Sequence, residues 1–210
     1  MQAKKRLQKE IAQLLRDPPD GVVCYPVGDS VTELEAKVQP MENTPYSQGV
    51  FKLAIACGDH YPNEPPSVRF VTPVYHPNID SEGRICLNLL KMPPKGCWAP
   101  SFSLAAVLRG IQILLAQPNP DDPLMTDITD EYRTDYSRFV QKATEWTRRY
   151  AMADSAAAAA GDSAAAAEQA RAEDKKEKEQ QRKAPEKRSE LPPEAVQIAR
   201  DIAVKKLKLF

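Results

Sequence analysis

The chain has 210 residues, with 29 basic side chains balanced by 29 acidic ones, so its overall charge draws it neither to nucleic acid nor to a membrane surface. About 150 residues suffice for a self-supporting core, which leaves room for one domain and an appendage. The four cysteines (Cys24, Cys57, Cys86, Cys97) lie far apart without a Cys-x-x-Cys pair, which argues against a metal site and against a disulfide framework.

Residues 1–6 lead straight into a polar helix without the apolar stretch of a secretory signal. No run approaches the roughly 18 apolar residues of a membrane span. The expected setting is the cytoplasm or nucleus, where a free thiol survives. Over residues 2–16, Leu7, Ile11, Leu14 and Leu15 recur at helical spacing while Lys4, Lys5, Arg6, Lys9 and Arg16 mostly fall elsewhere, and Pro18-Pro19 stops the helix. Four strands are predicted next, at 22–27, 33–39, 50–56 and 67–71. The third alternates Phe51, Leu53, Ile55 with Lys52, Ala54, Ala56, as a half-buried strand does. Short turns at Gly28-Asp29, 43–46 and Gly58-Asp59 make these strands an antiparallel meander with the first helix on one face.

A long loop through Cys86 follows, of a length that points to function. Ser103 opens a helix carrying Leu104, Val107, Leu108, Ile111, Leu114 and Leu115 on one side. Thr129 or Asp130 is expected to cap a last helix with Tyr136, Phe139, Val140, Ala143 and Trp146 as its buried stripe. The result is an α+β sandwich over 1–150. From 151 to 170 there are twelve alanines, and 171–188 hold eight basic and five acidic residues without a large apolar side chain. Residues 151–190 therefore read as a low-complexity linker without a core, disordered by composition. Their mixed charge and lack of interleaved aromatics argue against nucleic-acid binding. In 191–210 the spacing of Val196, Ala199, Ala203, Leu207 and Phe210 predicts a short amphipathic helix.

The chemistry concentrates around Cys86. A thiol is suited to holding an acyl group as a thioester. Eight residues earlier stands His76-Pro77-Asn78. The Asn78 amide has two readings: a donor to the oxyanion formed when an amine attacks, or a brace for the loop. His76 invites comparison with a thiol-protease dyad. Further on, Tyr61-Pro62-Asn63-Glu64-Pro65-Pro66, Trp98-Ala99-Pro100-Ser101 and Pro118-Asn119-Pro120-Asp121-Asp122-Pro123-Leu124 stand in order, preceded by Asn43-Thr44-Pro45-Tyr46 and Gly49-Val50-Phe51.

Over its first 150 residues this set resembles the ubiquitin-conjugating enzymes. Within that family the insertion Lys91-Met92-Pro93-Pro94-Lys95-Gly96-Cys97 is most similar to the T-type branch of the Fanconi anaemia pathway. The resemblance implies the ubiquitin-conjugating fold: an N-terminal helix, a four-stranded meander, an active-site loop and C-terminal helices. It implies that Cys86 accepts ubiquitin from an activating enzyme and passes it to substrate lysines, usually with a ligase of the RING type. No cofactor is then bound, ATP being consumed upstream by the activating enzyme. Carried over residue by residue, Asp122 orients the incoming lysine or caps its turn, while His76 and Pro77 brace the loop. Lys4, Lys5, Arg6 and Lys9 meet the activating enzyme, and Pro62, Asn63, Trp98, Ala99 and Pro100 meet the ligase. Asn63 stands where many relatives have Phe, and His60 and Ala99 where the T-type branch has arginines. Lys91, five residues from Cys86, is a candidate for self-modification. The alternatives are conjugation of another ubiquitin-like protein and a non-catalytic ubiquitin-binding variant, which Cys86 argues against.

Overall fold

Leu7, Ile11 and Leu14 lie on the buried side of helix α1 (Gln2–Arg16), and Lys4, Lys5 and Lys9 are exposed. Leu15, expected in the stripe, is instead 61% exposed; it lies one residue, about 100°, around the helix from Leu14. The computed structural model describes residues 2–152. The predicted linker, save its first two residues, and the predicted helix at 191–210 lie outside the described residues.

Strands β1 (Val22–Pro26), β2 (Glu33–Val38), β3 (Phe51–Ala56) and β4 (Ser67–Phe70) pair antiparallel in chain order. The register sets Leu34 opposite Ile55, Val38 opposite Phe51 and Leu53 opposite Phe70. Because side chains alternate across a strand, this register puts Val22, Cys24, Leu34, Ala36, Val38, Phe51, Leu53, Ile55, Val68 and Phe70 together on the buried face. Glu35, Lys37, Lys52 and Arg69 fall on the other face.

Helix α2 (Leu104–Ala116) adds Leu104, Val107, Leu108, Ile111 and Leu115 to the same buried cluster. Ser103 caps it by accepting from Ala106 N at 3.3 Å, as predicted. The last predicted helix is two: α3 (Thr126–Thr134) and α4 (Tyr136–Trp146). Thr129 and Asp130 lie inside α3 rather than capping anything. Asp135 breaks the helix in a non-helical conformation, and its carboxylate restarts it by accepting from Arg138 N at 3.0 Å. Tyr136, expected to be buried, is 57% exposed; Phe139 and Ala143 carry the buried stripe. A single π-helical stretch, Thr147–Ala151, ends the described fold, where the Ala151 carbonyl accepts from Val50 N at 3.2 Å.

Glu10 breaks the apolar stripe of α1 and is nevertheless buried. Its carboxylate accepts from Tyr61 Oη at 2.9 Å and from Leu104 N at 2.7 Å, and it pairs with Arg6. It thus caps the first turn of α2 from another helix, satisfying an amide that α2 itself cannot reach. We expect Glu10→Ala to lower unfolding free energy by about 2 to 4 kcal/mol, because a buried backbone donor and a phenol lose their acceptor. Urea denaturation beside Lys9→Ala, which should change stability by under about 0.5 kcal/mol, checks this. Equal effects from the two substitutions would mean the capping bond contributes nothing.

Candidate active site

Beyond β4 the chain folds back on itself from Asn78 to Cys86. Asp80 organises the tip: its Oδ1 accepts from Glu82 N at 3.0 Å and Arg84 N at 2.9 Å, and its carbonyl accepts from Gly83 N at 2.9 Å. Gly83 has φ +76°, and a Cβ there would sit 2.0 Å from the Phe70 carbonyl oxygen. A glycine is needed for this crossing, and it lets the Gly83 carbonyl accept from Phe70 N at 2.9 Å. The eight-residue return closes where Cys86 N donates to the Asn78 carbonyl at 2.9 Å. The spacing read in the sequence is the length of this fold-back.

The His-Pro-Asn tripeptide then joins this loop to the 118–124 loop. The Pro77 carbonyl accepts from Leu124 N and Met125 N at 2.9 and 3.0 Å. Asn78 is fully buried. Its Nδ2 donates to the carbonyls of Asn119 (2.7 Å) and Asp122 (3.0 Å), and its Oδ1 accepts from Asn119 N at 2.8 Å. Both amide protons are engaged, so donation to an oxyanion requires one of these bonds to open. His76 is also fully buried. Its Nδ1 accepts from Asn78 N at 3.0 Å and its Nε2 faces the Leu114 carbonyl at 3.0 Å. That pairing fixes the Nε2–H tautomer, and burial pulls the imidazole down to about 4. A ring held on both nitrogens by backbone is a brace and has no free nitrogen for base chemistry.

These bonds bring three side chains into contact. Cys86 Sγ donates to Asp122 Oδ2 at 2.9 Å, and Lys91 Nζ lies 2.9 Å from Sγ and 2.6 Å from Asp122 Oδ2. Cys86 is 8% exposed, while the Lys91 and Asp122 side chains are 32% and 54% exposed. Burial and the bond to Asp122 push the thiol up, partly opposed by Lys91. The bonds to Asp122 and Cys86 raise the Lys91 ammonium, and the bonds from Cys86 and Lys91 hold the Asp122 carboxyl low. The site is therefore a thiol beside an ammonium–carboxylate pair. The Asp122 carboxylate turns toward the thiol and the Lys91 ammonium. Burial pushes Cys24 up to about 11 and Cys57 up to about 12, so both are structural thiols. Cys97 is exposed.

The predicted partner surfaces are only partly as read. Lys4, Lys5 and Lys9 project from α1, but Arg6 is committed to Glu10 and to the Phe102 carbonyl at 3.3 Å. Trp98, read as ligase surface, is buried; its indole donates to the Pro62 carbonyl at 2.9 Å and its ring packs at a tilt against Tyr61 and Phe102. It ties the two loops together; of the residues read as ligase surface, Asn63 and Pro100 are exposed and Pro62 and Ala99 half-buried. Sequence reasoning missed Glu10 and Asn119. A carboxylate three residues from Leu7 and four from Leu14, on the apolar face of α1, was the available signal for the first. For Asn119 only its place in a quoted motif was visible.

The family model described as ubiquitin-conjugating enzyme matches residues 6–147. A mouse protein named ubiquitin-conjugating enzyme E2 T is 52% identical over 151 residues, covering 72% of this chain and 74% of its own. The human protein of that name is 49% identical over 151 residues (72% and 77%), and the zebrafish one 49% over 152 (72% and 78%).

Because the folded imidazole of His76 lies below its unfolded value of about 6.5, its neutral form is the one the fold requires. The stability this provides is complete above that value and is lost as pH falls towards about 4. We expect the His76 ring nitrogens to keep the shifts of a neutral Nε2–H imidazole down to about pH 5 in a ¹⁵N NMR titration; titration near pH 6.5 would contradict the brace.

Proposed function

The chain belongs to the ubiquitin-conjugating enzyme family, and from that premise we propose how its residues divide the work of a transferase that carries ubiquitin as a thioester. Ubiquitin, an activating enzyme and a ligase are the partners common to that family. The proposed carrier is Cys86. In loading, the Cys86 thiol loses its proton to solvent and the thiolate attacks the thioester carbonyl carbon held by the activating enzyme. A new C–S bond forms, the old one breaks, and the departing thiolate is reprotonated. In discharge, a neutral lysine amine attacks that carbonyl, the C–N bond forms, Cys86 leaves as thiolate, and the amine's surplus proton goes to solvent. The observation that carries this reading is the contact of Cys86 Sγ with Asp122 Oδ2 at 2.9 Å. Asp122 is thereby the group able to accept a hydrogen bond from an amine arriving at the same sulfur. A free lysine is under about 0.1% neutral at pH 7, so positioning the small neutral fraction matters.

Asn78 is proposed to act by holding the Asn119–Asp122 backbone, with oxyanion donation open to it only when one of its two amide bonds is released. Lys4, Lys5 and Lys9 form the proposed contact for the activating enzyme, and Pro62, Asn63, Ala99 and Pro100 that for a RING-type ligase. The Trp98 indole supports the latter from behind. No bound cofactor is required, and ATP is spent upstream.

Lys91 is the proposed site of self-modification, since its Nζ lies 2.9 Å from Sγ. Its raised pKa, set first by Asp122 and then by Cys86, keeps it protonated and slow near neutrality.

With activating enzyme, ATP and ubiquitin, the protein should form an adduct on Cys86 that a thiol reductant removes; Cys86→Ser should form a reductant-resistant oxyester, and Cys86→Ala none. Asn78→Ala should load yet discharge to free lysine about 10²-fold more slowly. Unchanged single-turnover discharge would show that the amide serves the fold alone. Reductant-resistant self-adduct should rise about tenfold per pH unit from 7 to 9, as the neutral Lys91 fraction does below its pKa, and vanish in Lys91→Arg. A flat profile, or tail lysines as the only acceptors by mass spectrometry, would exclude Lys91.

A further inference from the structure

Lys91 is held where an acceptor lysine would have to sit. Its backbone is fixed on both sides: Lys91 N donates to the Asn88 carbonyl at 3.2 Å, and the Lys91 carbonyl accepts from Trp98 N at 3.1 Å. Cys97 N donates to that same Asn88 carbonyl at 3.0 Å, closing the 91–97 insertion into a compact turn. Gly96 makes the closure feasible, since a Cβ there would lie 2.3 Å from the Lys91 carbonyl oxygen and 2.4 Å from its Cβ. From this anchored position Nζ reaches both Asp122 Oδ2 at 2.6 Å and Cys86 Sγ at 2.9 Å.

We infer that Lys91 is a built-in occupant of the acceptor site, a positioning residue that favours loading of Cys86 and slows ligase-free discharge to free amines. The inference rests on the reading of Cys86 as the thioester carrier and Asp122 as the group that orients the acceptor. Asp122 Oδ2 already receives two donors, the thiol and the Lys91 ammonium. Once Cys86 is acylated the thiol proton is gone and the thioester sulfur is a weak acceptor, so the ammonium–carboxylate pair is the contact that persists. An arriving amine must break it to reach Asp122. It also meets a positive charge about 3 Å from the sulfur, which disfavours any acceptor still protonated. In the unloaded enzyme the same charge acts the other way, offsetting the effect of burial and of Asp122 on the thiol and so enlarging the attacking thiolate fraction.

Removing the charge should therefore move the two half-reactions in opposite directions, which loss of loop structure would not do. Lys91→Gln and Lys91→Met remove it; Lys91→Arg keeps it while deleting the self-modification site. The pair is partly exposed, so the changes should be about two- to fivefold, the range that such ion pairs span. With loading followed at limiting activating enzyme, and discharge of pre-loaded enzyme followed to free lysine, Lys91→Gln and Lys91→Met should load more slowly and discharge faster. Lys91→Arg should restore wild-type behaviour in both. Discharge in Lys91→Gln and Lys91→Met that is unchanged or slower than wild type overturns the inference, as does faster discharge in Lys91→Arg equal to that of Lys91→Gln. A wild-type protein that never acquires a reductant-sensitive adduct would refute the carrier role of Cys86 instead.

Discussion

A buried primary amide has to satisfy two donors and an acceptor, and in this protein the Asn78 side chain satisfies all of them on one loop. Three bonds of 2.7 to 3.0 Å tie it to the backbone of Asn119 and Asp122, while its own carbonyl holds Cys86 N. Leaving any of these groups unpaired inside the fold costs about 1 to 3 kcal/mol. The thiol and the carboxylate lie 36 residues apart in sequence yet meet at 2.9 Å because one residue grips both loops. His76 and Pro77 extend the same stitch, one to the end of α2 at Leu114 and the other to Leu124 and Met125.

Glu10 does for α1 and α2 what Asn78 does for the thiol. Its carboxylate joins α1, the first turn of α2 and Tyr61, and the neighbouring loop is tied on through Trp98 and Pro62. The surface proposed for the activating enzyme and that proposed for a ligase are thus built on one buried charge. Trp98 N in turn bonds to the Lys91 carbonyl, so the insertion that reaches the sulfur is anchored on the residue that joins the ligase loops.

The fold was legible because its signals are local and periodic. Strand alternation at Phe51, Leu53 and Ile55 and the cap at Ser103 are fixed by neighbours in sequence, and the structure keeps them. The misread helix positions arose where periodicity is blind. Leu15 continues the count of apolar residues but points a quarter-turn away from the core. Asp135 ends one helix and begins another just ahead of the stripe that starts at Tyr136, so the residues expected to lead into that stripe form a helix of their own. Cys86 and its tripeptide were legible as a motif, and the Asn78–Cys86 return gives that spacing a physical meaning. The commitments of Trp98 and Asn78, and the bond from Arg6 to Phe102, were not, since each depends on a backbone carbonyl far away in sequence. Whether a polar side chain faces a partner or braces a loop is decided by where such carbonyls lie.

The thiol itself presents a contradiction that the geometry makes useful. A reactive cysteine normally has its pKa lowered by a positive neighbourhood, yet burial and Asp122 push Cys86 the other way, with only Lys91 opposing them. A raised pKa makes for a smaller thiolate fraction and a poorer leaving group. For an enzyme that releases its product at once this would be a defect. For a carrier it is an advantage, because a poorer leaving group gives a thioester that withstands water and stray amines until an acceptor is positioned. The same carboxylate that raises the thiol is the one available to orient that acceptor, and Lys91 occupies it in the interval. Stability of the loaded state and selectivity of its discharge are then two consequences of a single contact among Cys86, Asp122 and Lys91.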